Sequence, residues 1–177
     1  MASDDKSKKE PDAPPPGEKD CKRMDIATLL SPRSVIAELR ATAKKQALQE
    51  LAYRAAAASG LHERTIIDSV WEREKLGSTG LGGGIAIPHA RIAGLNMLHG
   101  VFARLVTPID FDAVDDRPVD LIFMLIAPEG AGADHLTALA RVSRAMRDRT
   151  LVEKIRASSN ADAIYALLTG FARPQAA

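Results

Sequence analysis

The chain has almost no cysteine: Cys21 is the only one in 177 residues. A single thiol excludes an intrachain disulfide framework and a cysteine-ligated zinc site. An excess of either charge is also missing, with 24 Lys and Arg against 23 Asp and Glu and a net charge of +1. Non-specific nucleic-acid binding needs a basic surface that releases counterions, so no nucleic-acid partner is expected. No uninterrupted apolar run approaches the ~18 residues of a membrane-spanning helix, so no membrane insertion is expected. The polar stretch Met1 to Asp20 lacks the apolar core of a secretory signal. These absences predict a soluble, cytoplasmic protein, and the length suits one domain of the common ~100–200 residues.

What is present falls into two parts. Residues 1–23 hold six basic and six acidic residues, four of the ten prolines (Pro11, Pro14, Pro15, Pro16) and, apart from Met1, no large aliphatic or aromatic side chain. Such a segment cannot bury enough apolar surface to offset the entropy of ordering. It reads as a disordered polar tail, with Cys21 an exposed spectator. The folded domain is expected over residues 24–172, followed by a short tail over 173–177, and about 150 residues suffice for a full core. Without the first 23 residues the charges stand at 18 positive to 17 negative, so the domain is neutral on its own account.

Within the domain, residues 25–39 read as a short helix and then a strand, broken at Ser31-Pro32. Leu48, Leu51, Ala52 and Ala55 make a helical stripe, with Thr42 as the expected N-cap and Gly60 as the stop. A second helix is predicted over 62–76, burying Ile67, Val70 and Trp71. Strands are predicted at Ile85–Pro88 and Val101–Val106. A third, Val119–Ala127, is apolar enough to be central and covered on both faces. Three helices follow, over 134–147 (Asp134 as cap; Leu136, Leu139, Val142 and Met146 inward), 149–157 (Leu151, Ile155) and 160–169 (Asn160 as cap; Ile164, Leu167, Leu168). The predicted architecture is a three-layer α/β/α sandwich around a mixed sheet of about 4–5 strands, with functional groups at strand ends and loops.

Several catalytic spacings are missing. There is no H-E-x-x-H, no G-x-S-x-G and no metal-ligand spacing among His62, His89, His99 and His135. The segment 77–84 (GSTGLGGG) holds five of the twelve glycines, yet it lacks the Lys-Ser/Thr of a P-loop and the final glycine of a dinucleotide fingerprint. It is either a plain loop or an anion cradle of converging N–H groups. His62 reads as a solvated cap residue and His99 as incidental. His89 differs, because it follows Pro88 at the predicted end of a strand beside the glycine stretch. A neutral imidazole there can attack phosphorus and form a phosphoramidate, although position alone favours a structural or incidental role. Arg141, Arg144, Arg147, Arg149, Lys154 and Arg156 form a basic series, read as a solvated face or a docking surface for acidic partners.

Arg73-Glu74-Lys75-Leu76-Gly77-Ser78-Thr79-Gly80 followed by Gly84-Ile85-Ala86-Ile87-Pro88-His89 resembles the active-site segment of enzyme IIA components of the bacterial phosphotransferase system, in the fructose/mannitol group. Val106–Phe111, Pro118–Phe123 and Ala133–Leu136 are similar to its downstream text, so the resemblance covers roughly 24–170. The wording Leu76–Gly80, in a chain with no fused permease, is most similar to the nitrogen-regulatory branch. The resemblance implies His89 as phosphoacceptor through Nε2, with His135 and Arg73 contacting the phosphoryl oxygens. It implies phosphate-binding donors from Ser78, Thr79 and Gly80. No metal and no cofactor are implied, since the phosphoryl group comes from phosphoenolpyruvate through protein carriers. The implied partners are a nitrogen-branch HPr-like phosphocarrier and regulated target proteins, with potassium transport and sensor kinases as candidates. Two departures stand out: Gly83 replaces a frequent polar or acidic residue, and Ala90 a frequent glycine. The expectation is a phosphocarrier that signals through protein contacts, a phosphotransferase component rather than a stand-alone turnover enzyme. The alternatives are a sugar-specific IIA component that passes phosphate to a IIB domain, and a binding module that is not phosphorylated.

Overall fold

The computed structural model describes residues 24–171, so both expected tails and Cys21 lie outside the described residues. The apolar text VDLIFMLIAP forms strand β6, Val119–Pro128. Its side chains alternate between two cores. Ile122, Met124 and Ile126 enter one; Leu121, Phe123, Leu125 and Ala127 enter the other. Helices α2 (Lys44–Ser59) and α3 (Glu63–Lys75) close the first core. Helices α1 (Ile26–Leu29), α4 (Gly132–Arg147), α5 (Arg149–Arg156) and α6 (Ala161–Gly170) close the second. This is the expected three-layer sandwich, because a strand apolar on both faces must be covered on both.

The sheet has six strands rather than four or five. Besides β6 these are β1 (Val35–Leu39), β2 (Gly80–Gly82), β3 (Ile85–Ala86), β4 (His89–Ile92) and β5 (His99–Ile109). They run in the order β1-β5-β6-β3-β2, with β4 also paired to β6. The β5–β6 and β2–β3 pairs are antiparallel, and the other pairs are parallel. The two strands absent from the sequence reading are the glycine-rich β2 and the post-proline β4, both poor in strand-forming residues at their starts.

β3 and β4 lie end to end along one side of β6. Ile85 and Ala86 stand opposite Leu121 and Ile122, while His89–Ile92 stand opposite Leu125–Pro128. The interruption is Ile87-Pro88. Pro88 has no N–H to give, but its carbonyl accepts from Leu125 N at 3.0 Å, and Ile87 N donates to the Thr79 carbonyl at 3.0 Å. β2 flanks β3 only, so the outer side of β4 has no strand neighbour. His89 therefore opens an edge strand, where the sequence placed it at the end of one.

Gly60 (φ 76) and Asn160, which accepts from Ala163 N, end and begin their helices as expected. Two expected caps are corrected. Thr42 precedes Ala43, the residue before α2, and its N–H and hydroxyl both donate to Gln46 Oε1. α4 starts at Gly132, which moves Asp134 from the cap into the first turn. The inward face of α4 is His135, Ala138, Val142, Ala145 and Met146, and Leu136 is exposed. Small Ala138 and Ala145 let this helix lie close to the sheet, a stripe that counting large apolar residues misses. Likewise α3 buries Ile66, Val70 and Glu74, with Ile67 and Trp71 only partly covered.

Candidate active site

The site is built where β4 loses its strand neighbour. His89 and Arg91 alternate with Ala90 and Ile92, and the latter pair enters the α2/α3 core. The methyl group of Ala90 fills that core, so no glycine is needed after the histidine. The Nδ1 of His89 lies 2.8 Å from the Ile87 carbonyl oxygen. A carbonyl can only accept, so Nδ1 carries the proton and Nε2 keeps its lone pair. Burial lowers the pKa of His89; the bond to Ile87 opposes that, the Arg73 charge adds to the lowering, and the Glu74 charge opposes it. The net direction favours a neutral, nucleophilic ring.

His135, in the first turn of α4, faces it. The two ring centroids are 5.5 Å apart and the planes tilt by 50°. Among the described residues, the buried Nδ1 of His135 has no hydrogen-bond partner. Its pKa is lowered to about 4, first by burial, then by its neighbours His89 and Arg91, which disfavour a second positive ring beside them. His135 is therefore neutral near pH 7, with one N–H to donate.

Arg73 enters from the last turn of α3, where its Nη1 donates to the Gly77 carbonyl at 3.0 Å. This bond ties the guanidinium to the turn that follows the helix and orients it. The neighbouring Glu74 turns inward instead and pairs with Lys44 at 2.8 Å, so it does not neutralise Arg73. Arg73, His89 and His135 line one cavity of about 870 Å³, together with Arg91, Leu76, Leu136 and Glu129. The sequence-named trio is thus brought together by α3, β4 and α4.

The three residues assigned to phosphate binding are not. Ser78, Thr79 and Gly80 are absent from the lining of that cavity. The Thr79 hydroxyl and N–H both donate to the Glu74 carboxylate, at 2.6 and 2.9 Å, and Thr79 is buried. The Ser78 hydroxyl donates to the Phe111 carbonyl at 2.7 Å and accepts from Gly80 N. The glycine stretch is a hairpin, turning at Gly83 and Gly84 with φ +66 and +81, values that L side chains rarely adopt. Its Gly83 N–H donates to Asp115. The donors of Thr79 and Gly83 thus meet the protein's own carboxylates, while those of Ser78 and Gly80 meet a carbonyl and a hydroxyl. Gly80 serves close packing, since a Cβ there would sit 2.8 Å from Ala113 Cβ.

Two residues of the neighbourhood escaped the sequence reading, Glu74 and Arg91. Arg91 is two residues from His89 on the strand, and the period-two rule would have found it. Glu74 sits in the buried register of α3, and only its burial distinguishes it from a surface acid. The basic series divides. Arg141 pairs with Asp25 at 2.8 Å, and Arg156 grips Asp120 through two nitrogens while also donating to the Gly83 carbonyl. Arg144, Arg147 and Arg149 stay exposed. His62 caps α3 by accepting from Arg64 N, and His99 opens β5 half-buried.

A three-layer α/β sandwich that presents an oriented neutral imidazole beside a second imidazole and a guanidinium has the parts of a phosphoryl-accepting protein. Residues 28–170 match the family model for the phosphoenolpyruvate-dependent sugar phosphotransferase system, EIIA 2, and the chain belongs to that family. It is similar to the nitrogen regulatory protein of Bradyrhizobium diazoefficiens, at 51% identity over 145 residues, covering 82% of this chain and 95% of the relative. The crystal structure of nitrogen regulatory protein IIA-Ntr from Neisseria meningitidis superposes with a TM-score of 0.78 at 35% identity, covering 81% of this chain and 99% of that one. A fructose-specific EIIA component from Haloferax volcanii is 36% identical over 132 residues, covering 74% of this chain and 86% of the relative. The nitrogen-regulatory relative is thus markedly more similar than the sugar-specific one.

Proposed function

We propose that the chain works as a regulatory phosphocarrier of the nitrogen branch of the phosphotransferase system, with Nε2 of His89 as the reacting atom. The observation that carries this reading is the Nδ1–H of His89 held on the Ile87 carbonyl, which leaves Nε2 as the nucleophile within the cavity shared with His135 and Arg73. In the transfer, a P–N bond to the donor histidine of a carrier breaks as the bond from phosphorus to Nε2 forms. The electron pair of the old bond returns to the donor's nitrogen, and the Nδ1 proton stays against Ile87. Charge spreads over the three phosphoryl oxygens in the transition state, so positioned donors supply the catalysis. Arg73 offers a permanent planar cation and His135 a neutral N–H.

Members of this family work with phosphocarrier and IIB partners. For this chain the donor is an HPr-like protein of the nitrogen branch, the readers are regulated target proteins, and no resident cofactor takes part. The protein acts in the cytoplasm, and among the described residues no helix is long and apolar enough to cross a membrane. With the Nδ1 proton retained, the cationic ring offsets part of the charge on the phosphoryl oxygens, so transfer adds about one net negative charge, a large change for a domain that is neutral overall. That change is the signal the targets read, rather than a step toward a sugar. Incubating the full chain with phosphoenolpyruvate, enzyme I and the carrier tests this by intact mass. A gain of about 80 Da, acid-labile and absent in His89→Ala, is the expected result. An unshifted wild type would overturn the reading, and onward transfer to a IIB domain with sugar phosphorylation would decide for the sugar-specific alternative.

A further inference from the structure

The cavity at the edge of β4 contains a cation that nothing above employs. We propose that Arg91 is a second phosphoryl-contacting residue, so that a phosphoryl group on His89 sits between two guanidinium groups supplied by different elements. The proposal rests on His89 being the phosphoacceptor.

Arg91 is placed for this by strand geometry. On β4, residues 89 and 91 share one face, and their partners on β6, Leu125 and Ala127, point into the α4 side of the sandwich. That face meets the start of α4. Arg91 Nη1 lies 3.8 Å from the point that a side chain on Gly132, the first residue of α4, would occupy. His135 is three residues further along the same helical turn, and the positive charge of Arg91 reaches it. Arg91 is therefore within electrostatic range of one ring of the site and on the same strand face as the other.

Charge balance supports the same role. Neither Arg73 nor Arg91 has a carboxylate within ion-pairing distance among the described residues. The other arginines near a functional element, Arg141 and Arg156, are both committed to carboxylates. The three phosphoryl oxygens offer more acceptor positions than one Arg73 fork and one His135 N–H can fill, and a second guanidinium supplies further charged donors. Arg73 approaches from the α3 side and Arg91 from the α4 side, so the two forks would contact different oxygens. Arg91 is exposed, so its side chain has room to swing onto the phosphoryl oxygens.

The test compares wild type, Arg91→Ala and Arg91→Lys as full chains with two donors, the phosphorylated nitrogen-branch carrier and the small molecule phosphoramidate. With a charged hydrogen bond at stake, Arg91→Ala should accept phosphate about 10- to 100-fold more slowly from both donors. Arg91→Lys should recover part of the rate. In the phosphorylated protein, ³¹P NMR should show the phosphoryl titration midpoint raised in Arg91→Ala, because a lost cation favours the protonated oxygen. A wild-type rate from phosphoramidate, or an unmoved midpoint, would overturn the proposal, and slowing with the carrier alone would reassign Arg91 to docking. A wild type that neither donor phosphorylates on His89 would instead remove the phosphocarrier reading, and this proposal with it.

Discussion

Removing the carboxylate of Glu74 should unlock the segment that leads into the active-site strand. The side chain is 2% exposed and serves three donors: Lys44 Nζ at 2.8 Å, Thr79 N at 2.9 Å and Thr79 Oγ1 at 2.6 Å. Breaking one side of a buried pair costs about 3–5 kcal/mol. Lys44 softens this, because its side chain is 14% exposed and retains the Phe111 carbonyl at 3.2 Å, Asp112 at 3.4 Å and the Phe111 ring at 4.6 Å. The lower end, about 3 kcal/mol, is therefore expected for Glu74→Ala. Glu74→Gln keeps the shape and one acceptor for Thr79, so about 1–2 kcal/mol is expected there. Urea unfolding of Glu74→Gln, Lys44→Met and the double variant would measure the pair, with a coupling of about 1–3 kcal/mol. The same substitution removes a negative charge that raises the pKa of His89, so NMR titration of Glu74→Gln should find His89 lower than in wild type. Strict additivity in the cycle, or an Ala variant destabilised by less than about 1 kcal/mol, would refute the lock.

Three further outcomes follow from the geometry. His135 has a folded pKa of about 4 against about 6.5 unfolded. The unfolded chain therefore binds more protons between those values, and His135's contribution to stability is lost as pH falls through that window. Stability measured against pH should accordingly fall less steeply below pH 6.5 in His135→Gln than in wild type; parallel curves would contradict the burial of a neutral ring. The lowered pKa of His89 predicts that its phosphorylation rate from phosphoramidate stays level through pH 6.5 and declines only below it, whereas a half-maximal rate at 6.5 would mark an unperturbed imidazole. Gly80→Ala should lose about 1–3 kcal/mol by overpacking against Ala113, whose Cβ and Cα lie 2.8 and 2.9 Å from the new methyl; unchanged urea unfolding would show that the 110–116 loop yields freely.

Most of the architecture was legible because apolar periodicity dominates it. The run of Val119–Pro128 announces a strand buried on both faces, and Gly60 and Asn160 mark helix limits that tertiary packing left in place. What stayed hidden depends on small or polar residues. β2 contains two glycines in three positions, and its strand pairing comes from the hairpin with β3 rather than from β propensity. The inward turn of α4 on His135, Ala138 and Ala145 could not be counted from large apolar residues. In the site, His89, His135 and Arg73 were identified by resemblance and converge on one cavity. Ser78 and Thr79 look like phosphate ligands in the sequence, yet their hydroxyls answer to Phe111, 33 positions downstream, and to Glu74. A partner as distant as Phe111 leaves no mark in local spacing, and the inward turn of Glu74 shows only in its burial, whereas the alternation that places Arg91 beside His89 is legible.

The most direct measurement is the position of the phosphoryl group on the protein. After transfer from the carrier, peptide mass mapping assigns the modified residue, and heteronuclear ¹H–³¹P correlation assigns the ring nitrogen. Because the Ile87 carbonyl holds Nδ1–H at 2.8 Å, a single phosphohistidine at His89 with phosphorus on Nε2 is predicted. Phosphorus on Nδ1 of His89, or on His135, would contradict it.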